Sequence, residues 1–119
     1  MKKLFSPKSV AVIGVSRDPL KIGYIVFDNL LSSFGGKVFG VNPNAELVLG
    51  EKVFKNIHDI KDNVDMAVIC VPAPLVPAVL ESCGKKGVSY AVIITSGFSE
   101  LGRRGKDAEI ELQKISHKF

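Results

Sequence analysis

The segment from Val10 to Gly23 reads Val-Ala-Val-Ile-Gly-Val-Ser-Arg-Asp-Pro-Leu-Lys-Ile-Gly, and it constrains the fold more than any other part of the chain. Its opening run of small, mostly β-branched residues is the pattern of a strand buried on both faces, as in a parallel sheet sandwiched between helices. Gly14 breaks the run, Ser16, Arg17, Asp18 and Pro19 form a polar loop, and a helical pattern follows. Asp18 is expected as the helix N-cap and Pro19 at the first helical position, where its missing N–H would be unpaired anyway. Gly14 and Gly23 suit a tight turn and close helix packing, with or without a ligand. A strand that hands over directly to a helix leaves unpaired N–H groups and the positive end of a helix dipole facing one spot. Such a spot attracts phosphate.

The remaining chain repeats this alternation. Ser9 to Val15 reads as the first strand, and Leu20 to Phe34 as a helix with Ile22, Ile25, Val26, Leu30 and Phe34 on one stripe. Gly35-Gly36 ends that helix. Lys37 to Val41 is a second strand, stopped by Asn42-Pro43-Asn44, and Glu46 to Asn56 is irregular with one or two short extended pieces. Ile57 to Ile60 makes a helical turn, and Asp65 to Val71 is a third, almost wholly apolar strand that Pro72 terminates. Pro74 opens a helix with Leu75, Val76, Val79, Leu80 and Cys83 facing inward, closed near Gly84 to Gly87. Ser89 to Thr95 is the fourth strand. A glycine-rich loop through Gly97, Gly102 and Gly105 leads to a last amphipathic helix carrying Ala108, Leu112 and Ile115.

This order predicts the α/β class: one Rossmann-like domain over 1–119, a parallel sheet with helices on both faces in three αβα layers. A chain of 119 residues is near the lower end for such a sheet. Because it ends within the expected helix, it is read as truncated before its last strand. Ligands of open α/β sheets bind beyond the carboxyl ends of the strands. Four loops qualify: Gly14 to Pro19, Asn42 to Asn44, Pro72 to Pro74, and Thr95 to Glu100.

The net charge of +4 favours an anionic ligand, but no lysine–arginine run with interleaved aromatics points to nucleic acid. No apolar run approaches the ~20 residues of a membrane span, so no membrane partner is expected. Cys70 falls in a strand and Cys83 on a helix; both read as small core residues of a reduced, cytoplasmic chain.

For NAD, an acidic residue should end the second strand, or an arginine should stand nearby for NADP. Here Val41-Asn42-Pro43-Asn44 occupies that place, and Gly14 and Gly23 lack the compact G-x-G-x-x-G spacing. An NAD(P)-binding domain of an oxidoreductase is therefore the alternative.

The ordered set Val-Ile-Gly-Val-Ser-Arg-Asp-Pro, Val-Asn-Pro-Asn, Val-Asp-Met-Ala-Val-Ile-Cys-Val-Pro-Ala and Ile-Ile-Thr-Ser-Gly-Phe-Ser-Glu resembles the N-terminal CoA-binding domain of the nucleoside-diphosphate-forming acyl-CoA synthetases. That family includes ADP-forming acetate–CoA ligase and, more distantly, the succinyl-CoA synthetase alpha subunit. The resemblance covers almost the whole chain and implies coenzyme A as ligand, with other domains or subunits of a synthetase as partners; a free-standing CoA-responsive module is the third reading. By position, Ser16 to Pro19 would hold the phosphate-bearing end through hydroxyl and backbone N–H groups. Pro43 and Asn44 would meet the nucleotide, Val71, Pro72 and Ala73 would pack on the adenine, and Ile94, Thr95 and Ser96 would line the pantetheine path. Gly14, Lys21, Gly23 and Asn42 complete the candidate set. A lysine is common in the family where this chain has Asn44, a difference worth ~1.5–3 kcal/mol for one charge-assisted bond. Arg17 and Lys21 are the cations that could offset it.

The family's ligase reaction passes phosphate through a histidine beyond this domain. His58 and His117 are the only histidines here, and neither stands in a matching motif. No Cys/His cluster has metal spacing, and Ser96 is not in a Gly-x-Ser-x-Gly elbow. The chain by itself is expected to bind and not to catalyse.

Overall fold

β1, Ser9–Ile13, is buried at all five residues and forms the middle of the molecule. The structure is a computed structural model that describes residues 7–94 and, as backbone, 115–118. β1 pairs in parallel with β2 (Lys37–Val41) on one side and with β5 (Met66–Ile69) on the other. Beyond β2 lies β4 (Glu51–Phe54), also parallel, edged by the antiparallel β3 (Leu47–Val48). Beyond β5 lie the parallel β6 (Tyr90–Ile93) and the antiparallel β7 (Ile115–Lys118). The sheet order β3-β4-β2-β1-β5-β6-β7 means that the chain works outward from β1 in one direction and then crosses to the other side. The reversal between β1 and β5 is a topological switch point, where a crevice opens at the carboxyl ends.

Two helices take the two faces, because successive side chains of a strand alternate. Ala11 and Ile13 of β1 join Ala67, Ile69 and Cys83 in a core beneath α2 (Val76–Lys86). Val12 joins Val15, Val53 and the fully buried Phe27 beneath α1 (Ile22–Ser33). The expected α/β architecture is thus present, with the parallel strands β1, β2, β5 and β6 in the anticipated places.

Several local expectations need correction. α1 starts at Ile22 behind a Lys21 N-cap, not at Pro19 behind Asp18. The Asp18 carboxylate accepts the Leu20 N–H at 3.0 Å, and its carbonyl accepts the Lys21 N–H at 2.9 Å. Its capping chemistry therefore goes into a separate turn one step ahead of the helix. Pro74 opens a short 3-10 turn, Ala73–Leu75, rather than α2 itself, and Leu75 is exposed where an inward side chain was expected. Ile115 lies in a strand, not a helix: β7 runs antiparallel to β6, with Ile93 opposite Ile115. Ala108 and Leu112 lie outside the described residues. Within Glu46 to Asn56 the extended pieces are β3 and β4, joined through Leu49 and Gly50, both at positive φ (55° and 76°). Two such residues give the tight turn that suits a two-residue hairpin.

Candidate functional site

A cleft of about 1050 Å³ opens at the carboxyl ends of β1, β2, β4 and β5, at the upper end of the size range of small-molecule sites. Its floor is the exit of β1. The Gly14 N–H donates to the Val41 carbonyl at 2.9 Å, and the Cys70 N–H donates to that of Ile13 at 2.8 Å, so the three exits are laced together. Gly14 has φ +102°, and a Cβ there would lie 2.5 Å from the Cys70 carbonyl oxygen. Both facts exclude a side chain. The turn then brings α1 down onto the loop, with Gly23 buried against it.

At the start of α1 the Tyr24 and Ile25 N–H groups already donate to the Lys21 carbonyl, at 3.1 and 3.2 Å, which leaves the Ile22 and Gly23 amides ahead of the helical ladder. Lys21 provides no side-chain cap, and no acidic residue stands in the first turn. These N–H groups therefore remain available to an anion, with the positive end of the helix dipole behind them. Ser16 lies beside them, its Oγ accepting the Asp18 N–H at 3.0 Å while its own O–H remains a donor.

The second loop is held by Asn42. Its Nδ2 donates to the Val15 carbonyl at 2.7 Å, its Oδ1 accepts the Asn44 N–H at 2.7 Å, and its backbone N–H donates to Phe54 O at 2.9 Å. One side chain thus fixes the first loop to the second, and Asn42 acts as a bracket rather than through a free amide. The third wall is apolar: Val71, Pro72 and Ala73 leave β5, and Leu75 of the 3-10 turn and Val79 of α2 continue it. Ile94, whose N–H donates to Ile69 O at 2.9 Å, closes the side next to β6.

Of the residues singled out in the sequence, Gly14, Ser16, Lys21, Gly23, Asn42, Pro43, Asn44, Val71, Pro72, Ala73 and Ile94 line this cleft. Arg17, Asp18 and Pro19 are exposed and do not line it. Thr95 and Ser96 lie outside the described residues. Sequence reasoning missed Leu20, Lys55, Asn56, Leu75 and Ser82, which also line it. For Lys55 and Asn56 the signal was β4: once that segment is a strand parallel to β2, its exit must open on the same side as the others.

Among the described residues the lining includes two ammonium groups, Lys21 and Lys55, and no carboxylate. Other lysines are engaged elsewhere: Lys37 with Asp62 at 3.1 Å and Lys85 with Glu81 at 3.6 Å. Cys70 also lines the cleft, but burial pushes its thiol up to about 12, so at neutral pH it is protonated and a poor nucleophile. His58 is exposed within the 3-10 turn Ile57–Asp59 and does not line the cleft. Among the described residues no group of three His, Cys, Asp or Glu side chains could hold a metal, and no helix is long and apolar enough to cross a membrane. Amides, cations and an apolar wall equip this cleft to bind an anionic nucleotide.

The model of the CoA binding domain matches residues 8–114. The chain is 50% identical to the alpha subunit of ADP-forming acetate–CoA ligase II of Pyrococcus furiosus over 97% of its own length and 25% of that subunit's. It is also similar to a solved structure titled dinucleotide-forming acetyl-coenzyme A synthetase 1 of Candidatus Korarchaeum cryptofilum, in complex with phosphate and ADP. There the TM-score is 0.75 at 47% identity, covering 91% of this chain and 23% of that one. A conserved hypothetical protein of Pyrococcus furiosus shares the fold at TM-score 0.64 and 27% identity, covering 87% of this chain and 90% of its own. The chain spans about a quarter of the length of the ligase alpha subunits it matches.

Proposed function

The chain belongs to the CoA binding domain family, and from that premise we propose that it binds coenzyme A for an ADP-forming acid–CoA ligase in the cytoplasm. The observation that carries this reading is the cleft at the switch point, lined among the described residues by Lys21 and Lys55 and by no carboxylate. An adenosine diphosphate with an attached phosphate matches that charge; the unphosphorylated adenosine ribose of NAD is normally met by an acid at the end of the second strand. Ser16, Lys21 and the first amides of α1 would receive the pyrophosphate. Pro43 and Asn44 would lie along the ribose, and Val71, Pro72 and Ala73 would pack on the adenine together with Leu75. Ile94 would start the pantetheine path, continued by Thr95 and Ser96.

Coenzyme A supplies a thiol that accepts an acyl group. This chain's part is to orient that thiol, converting a bimolecular encounter into a positioned one. Phosphoryl transfer falls to other domains or subunits of the ligase. Calorimetry and thermal shift with CoA, NAD and NADP test the reading. CoA at ~100 times its dissociation constant should stabilise the fold by ~2.7 kcal/mol. A preference for NAD overturns it.

The hypothetical protein that this fold fills almost completely favours a second reading, a free-standing CoA-responsive module. Co-purification of the native protein separates the two. A ligase subunit at fixed stoichiometry supports the first, and recovery of the chain alone with CoA supports the second.

A further inference from the structure

Beyond the family's general assignment, and resting on the CoA reading above, we propose that Lys55 recognises the 3′-phosphate on the ribose of coenzyme A and makes the cleft selective for the 3′-phosphorylated nucleotide. The argument begins with register. β4 pairs in parallel with β2, Val41 opposite Phe54, and the Asn42 N–H donates to the Phe54 carbonyl at 2.9 Å. Lys55 therefore leaves the sheet at the level of Asn42, one strand further out. In doubly wound sheets the exit of the second strand is where the ribose of a bound nucleotide lies.

The β2 exit itself offers no charge. Asn42 is committed at both ends of its amide, and Pro43 and Asn44 are neutral. Lys21, the other cation among the described lining residues, stands at the N-cap of α1 in the turn that leaves β1, and β2 lies between β1 and β4. Neighbouring lysines are occupied: the Lys52 ammonium stands 5.0 Å over the Phe54 ring, and the Lys86 ammonium donates to the Ile60 carbonyl. Among the described residues Lys55 has no carboxylate partner, and none of them brings a carboxylate to the cleft to neutralise it.

The cleft thus holds two separated cations. The nucleotide end of coenzyme A carries two separated anionic groups, a pyrophosphate and a ribose monophosphate. Pairing Lys21 with the first leaves Lys55 for the second. Lysine suits this role as a compact point charge on a flexible stem.

The test is a cycle of two proteins and two ligands, by calorimetry on the full chain: wild type and Lys55→Gln, each with CoA and dephospho-CoA. Lys55→Gln should weaken CoA about tenfold, in line with one solvent-accessible charge-assisted bond, and should change dephospho-CoA less than about twofold. The wild-type preference for CoA should shrink as ionic strength rises, and Lys55→Arg should restore it. Because Lys55 is exposed, the variant's melting temperature should match that of the wild type. Wild type that binds both ligands equally, or a variant that loses both equally, overturns the role of Lys55 alone. Failure of wild type to bind CoA at millimolar concentration overturns the CoA reading with it.

Discussion

Gly23 sits so close to Gly14 that a Cβ placed on Gly23 would lie 2.0 Å from the Gly14 carbonyl oxygen and 3.2 Å from the Val15 Cα. The two residues are nine positions apart, yet they do jointly what closely spaced glycines do in a compact phosphate-binding turn. One lets β1 turn sharply, and the other lets the helix settle against that turn. The helix N-terminus reaches the cleft because of this contact.

Gly23→Ala must therefore push α1 away from the loop, since the obstacle is backbone and cannot rotate aside. The expected cost is about 3 kcal/mol, at the upper end for overpacking, read as a lower urea midpoint. CoA affinity should fall with it, because the first amides of α1 move. A variant that keeps both midpoint and affinity would show that the helix is free to shift.

Asn42→Ala removes the bracket between the first two loops and leaves the Val15 carbonyl and the Asn44 N–H without their 2.7 Å partners. A loss of about 1–3 kcal/mol follows for the part-buried group. Asn42→Asp keeps the acceptor for Asn44 but sets a carboxylate against the Val15 carbonyl and beside an anion-binding cleft. It should weaken CoA by more than the alanine variant does, which paired calorimetry and denaturation can compare.

The parallel core was legible because β1 and β5 are buried on both faces and β6 on one, and continuous apolar runs admit few other structures. β4 was not, because only Val53 of its four residues is buried, and a short half-buried strand has no periodicity to speak of. With β4 unread, Lys55 and Asn56 had no place at the cleft. The Asp18-Pro19 pair misled for a different reason: a carboxylate caps an isolated turn as readily as a helix, and the spacing does not distinguish them. Ile115 was placed on a helix by its spacing from Ala108 and Leu112, whereas in the fold it pairs with Ile93 across an antiparallel ladder. Pairing between distant segments is invisible to a local period.

Lys21 and Arg17 separate cleanly in this geometry. Lys21 lines the cleft at the foot of α1, whereas the exposed Arg17 does not line it. Lys21→Glu should weaken CoA by tenfold or more at low salt, and Arg17→Glu by less than about threefold, as a rim charge acts mainly through a screened field. Both should leave the melting temperature near that of the wild type. Equal losses from the two substitutions would place Arg17 on the ligand as well.

The two cysteines give the fold an alkaline limit. Burial pushes the Cys70 thiol up to about 12 and the Cys83 thiol up to about 11, from an ordinary 9.0. Below pH 9 folded and unfolded chains both hold these protons, and the thiols leave stability unchanged. Above pH 9 the unfolded chain releases them while the folded chain retains them, so unfolding gains ground until pH passes each folded value. The slope is up to about 1.4 kcal/mol per pH unit for each thiol. Denaturant midpoints between pH 8 and about 11 should therefore fall less steeply in a Cys70→Ser, Cys83→Ala variant than in wild type. The same protonation makes Cys70 slow toward a disulfide reagent at pH 8, at least about tenfold slower than free cysteine. Since Cys70 lines the cleft, saturating CoA should slow it further, while Cys83, fully buried on the inner face of α2, should react only as the fold opens. Equal alkaline slopes in the two proteins would mean that neither thiol is desolvated in the folded state.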